Sequence, residues 1–149
     1  MFNVTQISQI TQIMLALRQA ADARQAMTDN ELTYEIRGAI FDVYNELGPG
    51  LLESVYEEAL AFELLERGLE VARQVEVPII YKGNELKTAL RLDLMVNNQV
   101  IIELKSVEEM KPVFAKQLLT YLKLMKKHVG LLVNFNTSNL REGIKRIVN

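Results

Sequence analysis

The stretch that most constrains the fold is Arg91 to Ser106, RLDLMVNNQVIIELKS. Two apolar runs flank the polar pair Asn97-Asn98, which is the mark of a β-hairpin. Burial of one face fixes a hairpin's register, so the side chains choose between two loops. A two-residue loop, Asn97-Asn98, sets Asp93 opposite Ile102 and mixes acids into the core face. A three-residue loop, Asn97 to Gln99, sets Val96 opposite Val100, Leu94 opposite Ile102 and Leu92 opposite Leu104, all on one side. Asp93 then meets Glu103, and Arg91 meets Lys105, on the other side. The three-residue loop is the expectation, with Asn98 or Gln99 in the left-handed region.

Two acids and a lysine beside an apolar layer need a reason to be there. Asp93 and Glu103 offer hard oxygen donors, and the chain has no cysteine to compete with them. Such donors suit Mg²⁺ or Mn²⁺. A divalent ion at this place polarises a phosphodiester and lowers the pKa of a bound water. Lys105 is placed to orient that water or to offset charge on the phosphorus. The plain alternative is an interstrand salt bridge, worth ~0–1 kcal/mol if exposed. Spacing and face do not decide between them.

The rest of the chain surrounds this hairpin with a recognisable order. Ile7, Ile10, Met14, Leu17 and Ala21 recur at helical spacing in a first segment, residues 1–28, that is almost uncharged before Arg18. Met27-Thr28-Asp29 looks like an alternative start followed by a helix cap. Leu32, Ile36, Ile40, Val43 and Leu47 form the stripe of a second helix, ended by Gly48-Pro49-Gly50. A third helix runs from about Leu52 to Arg67. Strands are expected over residues 69–77, 86–96 and 100–106, the last in the centre of the sheet, with a turn at Lys82-Gly83-Asn84. Lys111-Pro112 opens a long helix with proline in its first turn, and residues 129–135 read as a buried strand. That helix is long enough to cross over between parallel strands. Residues 140–148 end the chain as a helical turn or a strand, and His128 is expected at a helix end as a favourable cation.

Asp93, then nine intervening residues, then Glu103-x-Lys105 resembles the PD-(D/E)xK nuclease superfamily, with Leu92 where a proline is usually written. Gly50-Leu51-Leu52-Glu53-Ser54-Val55-Tyr56 resembles the signature of its GxxExxY family, and the similarity runs from about Leu32 to Asn149. The resemblance implies an α+β fold, restriction-endonuclease-like, with an αβββαβ core. A central mixed sheet is then flanked by helices, with an extra N-terminal helix. It divides the chain into an extension, 1–28, and a nuclease-like domain, 29–149. It implies a metal set of Asp93, Glu103, Glu53 and the Leu104 carbonyl, with Lys105 assisting catalysis. Glu53 also falls in the first turn of its helix, where an anion is favoured. Gln117-x-x-x-Tyr121 is similar to a QxxxY motif that contacts substrate phosphate in one branch of the superfamily. Lys116 and Lys123 are candidate phosphate contacts. Tyr56 shares a helix face with Glu53 and would hold either Glu53 or a phosphate, or simply be a partly buried aromatic.

Charge bears on the partner. The net charge of −2 is split between −8 over residues 1–104 and +6 over residues 105–149. A basic C-terminal part can face a polyanion while an acidic part holds metal; a solvated helix surface is the bland reading. No apolar run is long enough for a bilayer, and MFNVTQISQ lacks the pattern of a signal peptide, so a cytoplasmic protein without membrane contact is expected. The expected activity is hydrolysis of phosphodiester bonds in nucleic acid, DNA favoured over RNA. The rival is a catalytically silent nuclease-fold module that binds nucleic acid or protein. A homo-oligomer formed through the N-terminal helix is a further expectation.

Overall fold

The computed structural model describes residues 1–149, apart from the side chains of Arg24 and Gln25. Helix α1 (Val4–Gln25) is followed by α2 (Asp29–Leu47) and α3 (Glu53–Glu66). Strand β1 (Val71–Val77), the short pair β2 (Ile80–Tyr81) and β3 (Asn84–Glu85), and the strands β4 (Leu90–Val96) and β5 (Val100–Lys105) come next. Helix α4 (Pro112–Met125), strand β6 (Val129–Asn134), the short α5 (Leu140–Gly143) and β7 (Ile144–Val148) complete the chain. Residues 140–148 thus form both a helical turn and a strand.

The sheet order is β1-β4-β5-β6-β7, with β5 in the middle. Only β5 and β6 pair in parallel, and α4 is the crossover that parallel pairing demands. Two apolar layers enclose the sheet. Leu32, Ile36 and Ile40 of α2 and Tyr56, Leu60 and Leu64 of α3 pack on Leu94, Val96, Ile102, Leu104 and Leu131. Leu118, Tyr121 and Leu122 of α4 pack on Val77, Leu92, Met95, Ile101 and Leu132. This is the mixed sheet flanked by helices, with the αβββαβ order running through α3, β1, β4, β5, α4 and β6.

Local chemistry sets the ends of these elements. Thr28 and Glu31 form a reciprocal capping box at the start of α2. Gly48, at φ 70°, takes a backbone shape that a β-carbon would oppose, and ends the same helix. Pro112 sits in the first turn of α4, where its missing N–H costs nothing. The hairpin turn is tight: Asn97 and Asn98 have φ of 51° and 50°, and the Gln99 amide donates to the Val96 carbonyl at 2.9 Å. The pairing nevertheless resumes at Val96–Val100, so Gln99 is the extra residue that keeps the register of a three-residue loop. The left-handed residues are Asn97 and Asn98, not Gln99. The Gln99 side chain donates to the Met27 carbonyl at 3.0 Å and the Asp29 carboxylate at 2.7 Å, tying the hairpin to the start of α2.

Helix α1 lies apart from the layered body. Ile7, Ile10, Met14 and Leu17 are exposed, and so are Ile13 and Leu15 on its other sides. His128 stands just past the end of α4, and its Nδ1 hydrogen-bonds the Asn149 carbonyl oxygen at 2.8 Å, joining the start of β6 to the end of β7.

Candidate active site

The regular β4–β5 ladder covers Val96–Val100, Met95–Ile101 and Leu94–Ile102. Beyond it, side chains take over the strand amides. The Asp93 N–H donates to Glu103 Oε1 at 3.0 Å, and the Leu104 N–H donates to Asp93 Oδ2 at 2.8 Å. On the other side of β4, the β1–β4 pairing runs through Arg73–Leu94 and Val75–Leu92 but skips Gln74 and Asp93 between them. Gln74 has φ of 50°, a strained shape for a residue with a β-carbon.

Both strands turn over at this point. Val71, Leu94 and Val96 belong to the α2–α3 layer, whereas Val75, Val77 and Leu92 belong to the α4 layer. The sequence expectation for this end of the hairpin is therefore corrected. Leu92 does not share a face with Leu94 and Leu104, because strict alternation fails at Asp93. Arg91 does not meet Lys105 but ion-pairs with Glu76 at 3.3 Å.

The turn-over places Asp93 between two groups of residues. On the α3 side, a cavity of about 530 Å³ is lined by Glu53, Glu57, Gln74, Asp93, Leu104 and Ser106, among others. Glu53 accepts the Ser106 N–H at 3.3 Å, and the Ser106 hydroxyl donates to the Leu51 carbonyl. On the α4 side, Lys105 Nζ stands 4.5 Å from the centroid of the Phe114 ring. Gln117 donates to the Tyr121 hydroxyl at 2.8 Å. Lys116 and Gln117 are exposed on α4, while Tyr121 is buried beneath them. Asn134, from β6, exchanges two hydrogen bonds with Val107 and fixes the chain just after Lys105.

Electrostatics follow from this burial. Glu103 is only 5% exposed. Burial, and then the neighbouring Asp93, push its carboxyl up to about 8. Burial also raises Asp93; the Leu104 N–H opposes the rise, Glu57 adds to it, and Lys105 opposes it. The Tyr121 hydroxyl is raised by burial and then by Glu103, so it stands within electrostatic reach of the pair.

For Tyr56 the buried-aromatic alternative holds, and a further acid joins the site. Tyr56 is fully buried, stacks on Phe135 at 4.2 Å between centroids, donates to the Gly48 carbonyl and accepts the Leu51 N–H. Its hydroxyl is thus engaged in the loop that leads into Glu53, and does not reach out to a phosphate. Glu57 was missed by sequence reading. It is 8% exposed, accepts from Arg73 Nε at 3.1 Å and Gln74 Nε2 at 2.8 Å, and faces Asp93. Its signal was present: it lies four residues after Glu53, on the same helix face.

A family model described as the PD-(D/E)XK nuclease superfamily matches residues 30–147. The chain belongs to the PD-(D/E)xK nuclease superfamily. Nucleases of this superfamily act on nucleic acid and typically use divalent metals. Ribonuclease 3 from Streptococcus pyogenes serotype M5 (strain Manfredo), and from serotype M49 (strain NZ131), is 31% identical over 97 aligned positions. That likeness covers 52% of this chain and 42% of each relative, so the chain spans less than half the length of the relatives it matches. No solved structure matches the chain. Among the described residues, no helix is long and apolar enough to cross a membrane.

The donors of this superfamily member fit a hard divalent ion in their chemistry. Asp93, Glu53 and Leu104 line one cavity, and Glu103 adjoins Asp93. The acids are all oxygen donors, and a cation between Asp93 and Glu103 would relieve their mutual repulsion. Among the described residues, however, no group of three or more acids or histidines is already gathered as an ion cage. One oxygen of Asp93 and one of Glu103 are held by strand amides instead.

Proposed function

We propose that this chain is a divalent-metal-dependent nuclease of the GxxExxY type, hydrolysing phosphodiester bonds in nucleic acid, with DNA favoured over RNA. The observation that carries the reading is the pair Asp93–Glu103, held at the one place where the β4–β5 ladder gives way to side chains, with Glu103 raised to about 8 by burial and then by Asp93.

Asp93, Glu103, Glu53 and the Leu104 carbonyl would hold Mg²⁺ or Mn²⁺, which supplies a polarised phosphodiester and an acidified water. Lys105, beside Phe114, offers its ammonium to the attacking water or to the charge that develops on phosphorus. Gln117 and Lys116 lie exposed on the same side of the sheet and hold the substrate phosphates, with Tyr121 fixing Gln117 from below. Tyr56 serves the site through the backbone, by setting the loop that carries Glu53.

The test is cleavage of single- and double-stranded DNA and RNA by purified protein with Mn²⁺ or Mg²⁺. RNA belongs in the panel because of the partial likeness to Ribonuclease 3. Lys105→Ala is expected to abolish cleavage while leaving cation binding in place. No cleavage of any substrate, together with no heat of Mn²⁺ binding, would leave the silent binding module as the better account.

A further inference from the structure

The β2–β3 pair stands outside both apolar layers. Its residues flank the turn Lys82-Gly83, where φ is 49° and 79°. The Leu86 N–H donates to the Ile79 carbonyl at 2.9 Å and extends the pairing. Its apolar side chains are open: Ile80 is 59% exposed, Tyr81 61% and Leu86 42%. A two-stranded hairpin on its own is marginally stable in water, so three exposed apolar side chains on one need an explanation.

Position supplies the explanation. The hairpin leaves the sheet between Val77 and Leu90, which face each other in the β1–β4 pairing. Because β4 and β5 are antiparallel, that is the end of the sheet where β5 finishes at Lys105. Leu90 is ~10 Å along the strand from Asp93, and Tyr81 lies at most ~13 Å beyond Val77, at ~3.3 Å per residue. The arm therefore reaches at most ~23 Å from the acids, a span that a few nucleotides of an extended single strand can cover. The cavity walls are acidic, so a polyanion approaching Asp93 needs cations to either side. Lys82 and Lys87 are exposed on the arm, and Lys82 Nζ stands 5.6 Å from the centroid of the Tyr81 ring.

We propose that the β2–β3 hairpin is a nucleic-acid arm that holds an unpaired, single-stranded segment of substrate beyond the scissile phosphate, with Tyr81 as the stacking platform and Lys82 and Lys87 as phosphate partners. An exposed aromatic ring beside lysines is the chemistry that single strands recognise, since every unpaired base offers a face to stack on. A paired base keeps its faces inside the duplex and gains nothing from Tyr81. When a base takes the ring, the Lys82 ammonium over it is freed for an adjacent phosphate. The arm therefore selects overhangs, flaps or gaps over blunt duplex. This inference rests on the nuclease reading and adds the substrate form to it.

The experiment uses the full chain carrying Lys105→Ala, so that the oligonucleotide survives. Binding of a labelled single strand about twenty nucleotides long, enough to span arm and site, is compared with a blunt duplex by fluorescence anisotropy. Tyr81→Ala should weaken single-strand binding about fivefold or more, and Tyr81→Phe should restore it, because the ring and not the hydroxyl is used. A 2-aminopurine base in the strand should be quenched by the protein, and less so by Tyr81→Ala. Replacing Lys82 and Lys87 together by Ser should reduce the salt dependence by about 1.4 in log–log slope. Equal binding of single strand by the parent and by Tyr81→Ala, or equal weakening of single strand and duplex, overturns the arm. If the parent binds no nucleic acid at all, the nuclease reading falls with it; cleavage by the wild type with a neutral Tyr81→Ala removes the arm alone.

Discussion

Glu103 makes a prediction about the metal-free protein that can be worked through from its surroundings. It is nearly inaccessible, its Oε1 is held by the Asp93 N–H, and its nearest ionisable neighbour is another acid. Its carboxyl is raised from 4.5 to about 8, first by burial and then by Asp93. The folded protein therefore keeps a proton that the unfolded chain has already released. Stability from this group is present in full below about pH 4.5 and is lost as pH rises toward 8. At about 1.4 kcal/mol per pKa unit, the ceiling of that loss is about 5 kcal/mol. Opening of the short β4–β5 end to water would reduce it, so roughly 2–5 kcal/mol is the expected range.

Glu103→Gln tests this directly. The amide keeps an oxygen for the Asp93 N–H and adds a donor toward the Asp93 carboxylate, but it cannot ionise. Urea unfolding in a chelating buffer at pH 5, 7 and 9 gives the comparison. The variant should equal the wild type near pH 5 within about 1 kcal/mol and exceed it by a few kcal/mol at pH 9. The wild type should lose stability between those limits with a slope approaching 1.4 kcal/mol per pH unit, and the variant should be flatter. Parallel pH profiles for the two proteins, or a variant that is less stable at pH 9, would refute the claim that Glu103 is a buried acid that keeps its proton in the folded protein.

The other predictions concern the same body. Mn²⁺ should raise the melting temperature of the wild type and do so much less for Asp93→Asn, read by calorimetric scanning with and without the ion. Tyr56→Phe should destabilise the fold by about 1–3 kcal/mol, because the Leu51 N–H and Gly48 carbonyl lose a buried partner while the stack on Phe135 remains; urea unfolding measures it. The exposed apolar residues of α1 are expected to associate with a second copy, so deleting residues 1–26 should reduce the number of protomers per particle, read by light scattering against the mass of one truncated chain.

The sequence made much of this fold legible because its signals are local and redundant. The hairpin register followed from which face Leu94, Val96, Val100 and Ile102 must share, and the ladder keeps that register. Pro112 and the Gly48 to Gly50 turn marked helix boundaries by backbone chemistry alone. Alternation was a poor guide at Asp93, where the strand turns over. No sequence period announces that, because it goes with nonlocal contacts: opposite it Gln74, on a different strand, takes a left-handed shape and its side chain turns to Glu57 on α3. Tyr56, which the sequence left open as a site residue or a buried aromatic, is also decided by a distant residue. Its spacing from Glu53 is that of a shared site, but the ring is drawn into the core by Phe135, which is distant in sequence.

The turn-over at Asp93 bears directly on the site. In an unbroken ladder Asp93 would face Glu103 as a non-hydrogen-bonded pair, its own N–H turned toward β1, with both carboxyl groups on the α4 face. The turn-over instead gives Asp93 to the cavity beneath α3 while Glu103 stays beside Tyr121. It also frees two amides, and the carboxylates take them. The cost is a strained Gln74 and a buried acid that keeps its proton, and neither helps the fold by itself. What the arrangement secures is a fixed distance between two oxygen donors on adjoining strands, with Lys105 at the end of the second. A site meant only to be stable would be better served by two apolar residues at these positions. The strain is therefore best accounted for by the chemistry proposed for Asp93 and Glu103, and the pH profile of Glu103→Gln is where that account meets measurement.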